Sequence, residues 1–467
     1  MVIGAMLFGI AFLIFLVIRT KIQAFVALIG TAVLIGLLSG LDPAKTLGAV
    51  TAGFGSTLGS IGIVIGLGCI MGRFMERSGA AKRIALTILQ MVGIQKSDIV
   101  IGLTGFLVSI PVFCDSGFVI LSSLAKELSR LTKKSMILIG GMLGMGLYIT
   151  HFMVPPTPGP LAVAGAFKID IGLFILWGLV ISIPMFVVAV FYFRWISAKY
   201  PAIIPPRDED ELSALSPEQR AVMEAIEAKH EAGQDLTRED FEGLLKDENL
   251  PGAGISFATL LIPVFLILLN TVAGLMGVSG AAKSFFTIIG HPVCAVFISV
   301  LMAVYMLCGK MPREEAVLSM EKSLADAGLI VFVTGAGGAL GNVIRTTGAG
   351  NVMAEAIAGS PLPVILVPLL VGTLLRFPQG SGTVAMITGA AILAPMLDSL
   401  GLNPVMAGLA LCTTAMFPSY LNDSYFWVVT RFSGFEVKTS LQTWTVGTFV
   451  IPFSASIILC IVNALFF

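Results

Sequence analysis

Long apolar runs recur along this chain. Val2 to Ile18, Phe25 to Leu41, Ile171 to Phe193, Phe257 to Gly277 and Val446 to Phe467 each approach the ~20 residues a helix needs to cross a bilayer. The pattern predicts an all-α polytopic membrane protein. Four stretches interrupt it: Pro111-Val-Phe-Cys-Asp115-Ser-Gly117, Pro155-Pro-Thr-Pro-Gly-Pro160, Phe377-Pro-Gln-Gly-Ser-Gly382 and Phe417-Pro-Ser-Tyr-Leu-Asn-Asp423. Each combines Pro or Gly with side chains able to hydrogen-bond. Irregular backbone at membrane depth persists only where it is buried in protein or lines a wet cavity, so these four stretches predict re-entrant hairpin tips and broken helices around a midplane site.

Composition supports the membrane reading and removes several alternatives. Only 12% of residues are charged, against roughly 25% in an ordinary soluble domain, and mean hydropathy is +0.96. No basic field suits a nucleic acid. The six cysteines lie scattered in apolar stretches without CxxC spacing or a His cluster, which predicts packing residues and neither a metal site, a cofactor nor a disulfide set. The first apolar run lacks a basic leader and a small-residue cleavage pattern, so it reads as a first span. The formal net charge of +0 hides an asymmetry: residues 201–254 hold 14 acidic and 5 basic side chains. That division predicts a first membrane repeat over 1–200, an acidic cytoplasmic helical insert over 201–254 and a second membrane repeat over 255–467. Within the insert, Ser216-Pro217-Glu218-Gln219 is a capping box opening one helix, and Thr237 begins a second. The insert reads as a solvated connector or as a regulatory docking module.

Basic residues crowd the cytoplasmic ends of spans. Drawn with about eleven spans, re-entrant hairpins near residues 98–125 and 361–397, and both termini outside, the chain places 23 of its 28 basic residues inside. The five exceptions are Lys45, Lys168, Lys283, Arg345 and Arg376. This orientation gives opposite directions to two segments that echo each other. Gly66-x-Gly68-x-x-x-Gly72 followed by Ser78-Gly79-Ala80 matches Gly335-x-Gly337-x-x-x-Gly341 followed by Thr347-Gly348-Ala349 at one constant offset. Ser116-Gly117-Phe118-Val119 answers Ser381-Gly382-Thr383-Val384, and Met153-Val154-Pro155 answers Met416-Phe417-Pro418. The result is an inverted repeat, the construction many secondary transporters use for alternating access. The glycines themselves also read as ordinary close helix packing.

Ionisable groups at this depth are costly and usually functional. Asp115 is the first candidate for proton coupling, with Asp423 its rough counterpart and His151 a third; capping of the restarted helices is the competing role for both aspartates, and structural hydrogen bonding for His151. Arg376 either binds a substrate carboxylate or snorkels to the outer interface. Ser116, Gly117, Thr157, Gln379, Gly380, Ser381, Thr383 and Asn422 complete a candidate binding set suited to a polyhydroxylated solute, helped by helix N-termini that favour anions.

At these motifs the chain resembles the gluconate permease family of proton-coupled sugar-acid symporters, within the ion transporter superfamily. The matching pieces are Gly53-Phe-Gly-Ser-Thr-Leu-Gly59, Met71-Gly72 through Ser78-Gly79-Ala80, Pro155-Pro-Thr-Pro-Gly-Pro160, Leu375-Arg376 with Gln379-Gly-Ser-Gly-Thr-Val-Ala385, and Asn422-Asp423 with Phe426-Trp427. The acidic insert lies outside the likeness. The resemblance implies import of gluconate or a related hydroxy acid with H⁺ across a bacterial inner membrane, through re-entrant hairpins packed beside a scaffold or oligomerisation layer, with a homo-oligomer as the expected assembly. It also admits idonate, fructuronate, glycerate or D-serine as cargo. Na⁺ coupling, a channel and an intramembrane enzyme using Cys114 or Ser116 with His151 are the rivals. The chain lacks HExxH, GxSxG and a phosphate-cradling GxxxxGK[ST] loop, which argues against an enzyme and an ATP-driven pump.

Overall fold

Helices account for the regular secondary structure of the computed structural model, which describes residues 2–20, 22–206, 225, 228–229, 250–348, 363–379, 381–421 and 423–466. The first half comprises α1 (Val2–Arg19), α2 (Ala24–Leu38), α3 (Pro43–Arg77), α4 (Ala80–Val92), α5 (Ser97–Val108), α6 (Cys114–Thr132), α7 (Met136–Met153), α8 (Pro158–Phe167) and α9 (Ile171–Ser197). The second comprises α10 (Ala253–Leu275), α11 (Gly280–Ile289), α12 (Pro292–Met302), α13 (Arg313–Thr347), α14 (Leu366–Gln379), α15 (Gly382–Leu393), α16 (Pro404–Thr414), α17 (Ser424–Phe432) and α18 (Val446–Phe466). Local sequence explains several starts. Asp42 caps α3 by accepting from the Ala44 amide at 2.9 Å, with Pro43 at the first helical position. Asp170 caps α9 through the Leu173 amide at 2.8 Å, and Asn403 caps α16 through the Val405 amide at 2.9 Å.

All four predicted interruptions coincide with helix boundaries. The chain breaks between α5 and α6, between α7 and α8, between α14 and α15, and between α16 and α17. Each half therefore repeats one order: a long helix (α3 or α13), a helical hairpin, a broken span and a closing long helix (α9 or α18). Two of the repeated glycines pack closely on the hairpin of their own half, though at different places along it. A Cβ on Gly72 would meet the Pro111 carbonyl of the first hairpin at 2.7 Å, and one on Gly341 would meet the Ala391 carbonyl of the second at 2.9 Å. Where α3 and α13 cross, a Cβ on Gly338 would meet the Gly53 carbonyl at 2.7 Å. Close packing is thus what these glycines permit, and the repeat dictates where it occurs.

Among the described residues six helices are long and apolar enough to cross a bilayer, or nine if each bent pair counts as one span. Shorter apolar helices of 10–17 residues, within α1, α2, α14 and α16, stand beside these candidates, against an expected count of about eleven spans. The hairpins and α7 lie at the centre; every residue of α7 except Leu138 is buried. Outer helices present apolar stripes, such as Ile183, Val187 and Phe191 on α9 and Phe449, Phe453, Ile457 and Ile461 on α18, at the three-to-four-residue spacing of one helix face turned to lipid.

The two helices expected to open at Ser216 and Thr237 lie outside the described residues, apart from Ala225, Ala228 and Lys229. The stems of the insert are described. Arg130 Nε of α6 donates to the Pro205 carbonyl at 3.0 Å, and Arg83 Nε of α4 donates to the Pro251 carbonyl at 2.7 Å. Both arginines belong to the set placed on the inner face.

Candidate functional site

Arg376 of the second hairpin ties together side chains from both broken spans. Its position on α14 is fully buried, and Nη2 donates to Asp423 Oδ2 at 2.6 Å and to the Tyr148 hydroxyl at 3.0 Å. A buried guanidinium requires such partners, and this one is charge-paired. Snorkelling to the interface is therefore not its role. Asp423 does two things at once: Oδ2 holds Arg376, while Oδ1 caps α17 by accepting from the Tyr425 amide at 3.2 Å. The next residue, Ser424, donates to Asp115 Oδ1 at 3.3 Å, and the Cys114 thiol lies 3.6 Å from Asp115 Oδ2. Asp115 stands in the first turn of α6, after the capping position occupied by Phe113, so it is not that helix's cap. A polar chain consequently runs from the second hairpin (Arg376) through the second broken span (Asp423, Ser424) to the tip of the first hairpin (Asp115). Tyr148 adds the first broken span.

An aromatic cluster that the sequence reading did not single out holds this chain in place. Tyr148 and Tyr425 stack at 5.3 Å with planes 10° apart, and Trp444 meets them edge-on at 5.8 and 5.6 Å. All three are buried, and each polar tip is satisfied, as buried Tyr and Trp require. The Tyr148 hydroxyl donates to the Met416 carbonyl at 2.8 Å, that of Tyr425 to the Gly144 carbonyl at 3.0 Å, and Trp444 Nε1 to Ser419 Oγ at 3.0 Å. Two of these acceptors belong to the Met416–Ser419 break. In sequence, one Tyr or Trp inside an apolar helix looks like ordinary packing; the only available signal was the need of each for a buried partner.

The remaining candidates divide. His151 is buried between Phe113 and Phe152, at ring distances of 5.9 and 5.5 Å, with Nδ1 lacking a hydrogen-bond partner, and it does not join the Arg376 chain. Thr157 donates to the Val154 carbonyl at 2.7 Å. Ser381 caps α15 through the Val384 amide at 3.4 Å. Thr383 lies against α8, its Cα 3.8 Å from where a Gly159 Cβ would stand, which seats the second hairpin on the first broken span. Gly117 packs on Leu147. Gln379 ends α14, while Gly380 and Asn422 lie outside the described residues.

Crevices flank the centre at equivalent places in the two repeats. One, of about 210 Å³, is lined by Thr334, Gly337, Gly338, Gly341, Asn342 and Arg345 of α13 together with α3, α8 and α15. The corresponding positions of α3, from Ile65 to Glu76, line two smaller spaces of about 10 and about 60 Å³ that reach Thr157 and Ser116. The second hairpin and the first broken span border the larger space; the first hairpin tip borders the smaller ones.

Known proteins match this chain along nearly its whole length. It is 40% identical over 451 residues to an uncharacterized permease of Haemophilus influenzae, covering 95% of this chain and 88% of that one. It is 33% identical over 437 residues to a gluconate permease of Pseudomonas aeruginosa, covering 93% and 91%. The solved structure of MtrF from Neisseria gonorrhoeae, described within a class of antimetabolite efflux pumps, superposes with a TM-score of 0.66 over 97% of each chain. At 13% identity that likeness bears on the fold alone. The model of the GntP family permeases matches residues 1–465, and with this order of hairpins and broken spans the chain is a multi-pass membrane transporter, not an enzyme, and belongs to the GntP permease family.

Proposed function

We propose that this permease imports gluconate or a related hydroxy acid together with a proton, by alternating access across a bacterial inner membrane. The observation that carries the reading is the buried Arg376–Asp423 pair, linked through Ser424 to Asp115. Among the described residues Arg376 is the one buried Lys or Arg, and a guanidinium is the natural clamp for a carboxylate. A substrate carboxylate arriving there competes with Asp423. Once released from its cation, Asp423 is connected through Ser424 to Asp115, and a proton loaded on these aspartates travels with the substrate. Both aspartates are coupling groups on this account, with Asp115 exchanging the proton because it borders the exposed Ser424. The full-length likeness to a gluconate permease supports the choice of cargo, and Thr157, Ser381 and Thr383 are the hydroxyls assigned to a polyol chain on this reading.

The test is uptake of labelled gluconate, glycerate, D-serine and a hexuronate into vesicles holding the purified protein, without Na⁺ and with an imposed inward proton gradient. Accumulation of an acid only with the gradient is the expected result. Asp115→Asn should abolish accumulation while leaving counterflow exchange. Proton-driven uptake unchanged in that variant removes Asp115 from the coupling, and uptake that needs Na⁺ replaces the proton.

A further inference from the structure

Lys168 and Arg345 are two of the five basic residues that the orientation leaves away from the inner face, against the usual bias. They lie far apart in sequence, in the turn after α8 and the last turn of α13, yet both line the crevice of about 210 Å³. Among the described residues no Asp or Glu lines it, and neither cation takes part in an ion pair. Deeper on the same wall Thr334 is 1% exposed, and its hydroxyl has no hydrogen-bond partner. A buried hydroxyl left unpaired is costly and marks a place where a ligand or water completes the bond. Asn342 lines the same wall, oriented by its amide donating to the Ala49 carbonyl at 2.8 Å.

We propose that this crevice is an outer anion-binding vestibule, in which Lys168 and Arg345 capture the carboxylate of the cargo and Thr334 and Asn342 engage its hydroxyls before it moves to Arg376. The inference rests on the reading above that the cargo is a hydroxy acid. The path inward is short. Ala162 on α8 and Ile387 on α15 line the crevice and stand four and five residues beyond the helix starts at Pro158 and Gly382, about 6–8 Å at ~1.5 Å per residue. Those starts adjoin Thr157 and Ser381. The crevice of the other repeat lacks the same charge: there Arg73 is answered by Glu76 at 3.7 Å. One mouth therefore attracts anions and the other is self-neutralised, an asymmetry suited to capture outside and release inside.

Two readouts test this. In vesicle uptake, Lys168→Gln with Arg345→Gln should raise KM about tenfold at low ionic strength with the maximal rate kept, because fixed charge at a mouth concentrates a charged substrate; the difference should shrink in high salt, which screens exposed charges. Lys283→Gln, another outer cation outside the crevice, should leave KM unchanged, and Lys168→Arg with Arg345→Lys should retain the low KM. Independently of transport, an Ala166→Cys variant on the crevice wall should react with a membrane-impermeant maleimide above the wild-type background. Millimolar gluconate should slow that reaction, and the double Gln change should abolish the protection. Transport by the wild-type protein with an unaltered KM in the double variant and no protection overturns the vestibule and leaves the transport reading standing. Charge-dependent protection without transport of any acid in the panel leaves the vestibule and removes the transport reading. Neither protection nor transport removes both.

Discussion

Neutralising one member of the Arg376–Asp423 pair should destabilise the protein more than neutralising both. The separation is 2.6 Å, and the side chains are 0% and 7% exposed. At an effective dielectric of about 20 the attraction is about 6 kcal/mol, most of which offsets the cost of removing both charges from water. Among the described residues, Arg376→Met leaves the buried carboxylate with the Tyr425 amide and no cation, and Asp423→Asn gives the buried guanidinium a weaker acceptor in place of its carboxylate. Breaking such a pair from one side costs about 3–5 kcal/mol, whereas replacing both partners together is often near neutral. In a chain of this size, extrapolating from smaller domains, each kcal/mol shifts the melting point by roughly 1–2 °C, so each single change should lower it by about 3–10 °C and the double change by less than either. The assay is survival of the monodisperse chromatographic peak after heating in one detergent, for wild type, both single variants and the double variant. A double variant whose loss equals the sum of the two single losses refutes the reasoning, because additivity means that the charges do not stabilise one another.

Other consequences are independent of that pair. Gly146→Ala should sharply reduce the yield of folded protein, since its Cβ would run into the Gly102 carbonyl where α7 crosses α5; Gly328→Ala, with nothing within 4 Å inside α13, should be neutral or stabilise by about 0.5–1 kcal/mol in a parallel melt. Asp98→Asn removes the partner of Arg194 at 2.7 Å and of Lys134 at 3.0 Å, and the carboxylate is buried, so a loss of about 1.5–3 kcal/mol should appear in the same assay. Tyr148→Phe keeps the stack on Tyr425 but deletes one hydrogen bond to Arg376 and one to Met416; it should cost about 1–2 kcal/mol, and a melt indistinguishable from wild type would show that these bonds do not hold the centre together.

What the sequence could determine by itself were the features set by local chemistry in a bilayer. A helix must carry about twenty apolar residues to cross, so the spans were legible from composition along the chain. Clusters of Pro and Gly with polar side chains favour a break, so all four interruptions were legible in the sequence, whereas single prolines such as Pro184 and Pro452 are carried inside α9 and α18. Charge bias supplied an expected orientation for the halves, and the matched glycines pointed to the repeat because a close approach excludes a Cβ on either member. The acidic insert stood out by charge alone. Only the tertiary structure could decide which buried groups meet. Arg376 and Asp423 lie on different helices, and whether the guanidinium reaches a carboxylate or the interface depends on how α14 packs against the start of α17. Tyr148, Tyr425 and Trp444 are unremarkable singly, and their stack exists only once three helices converge. Lys168 and Arg345 were exceptions to a rule in the sequence; in the fold they share a crevice. Contacts between distant segments depend on the relative position of packed helices, which no local pattern of residues encodes.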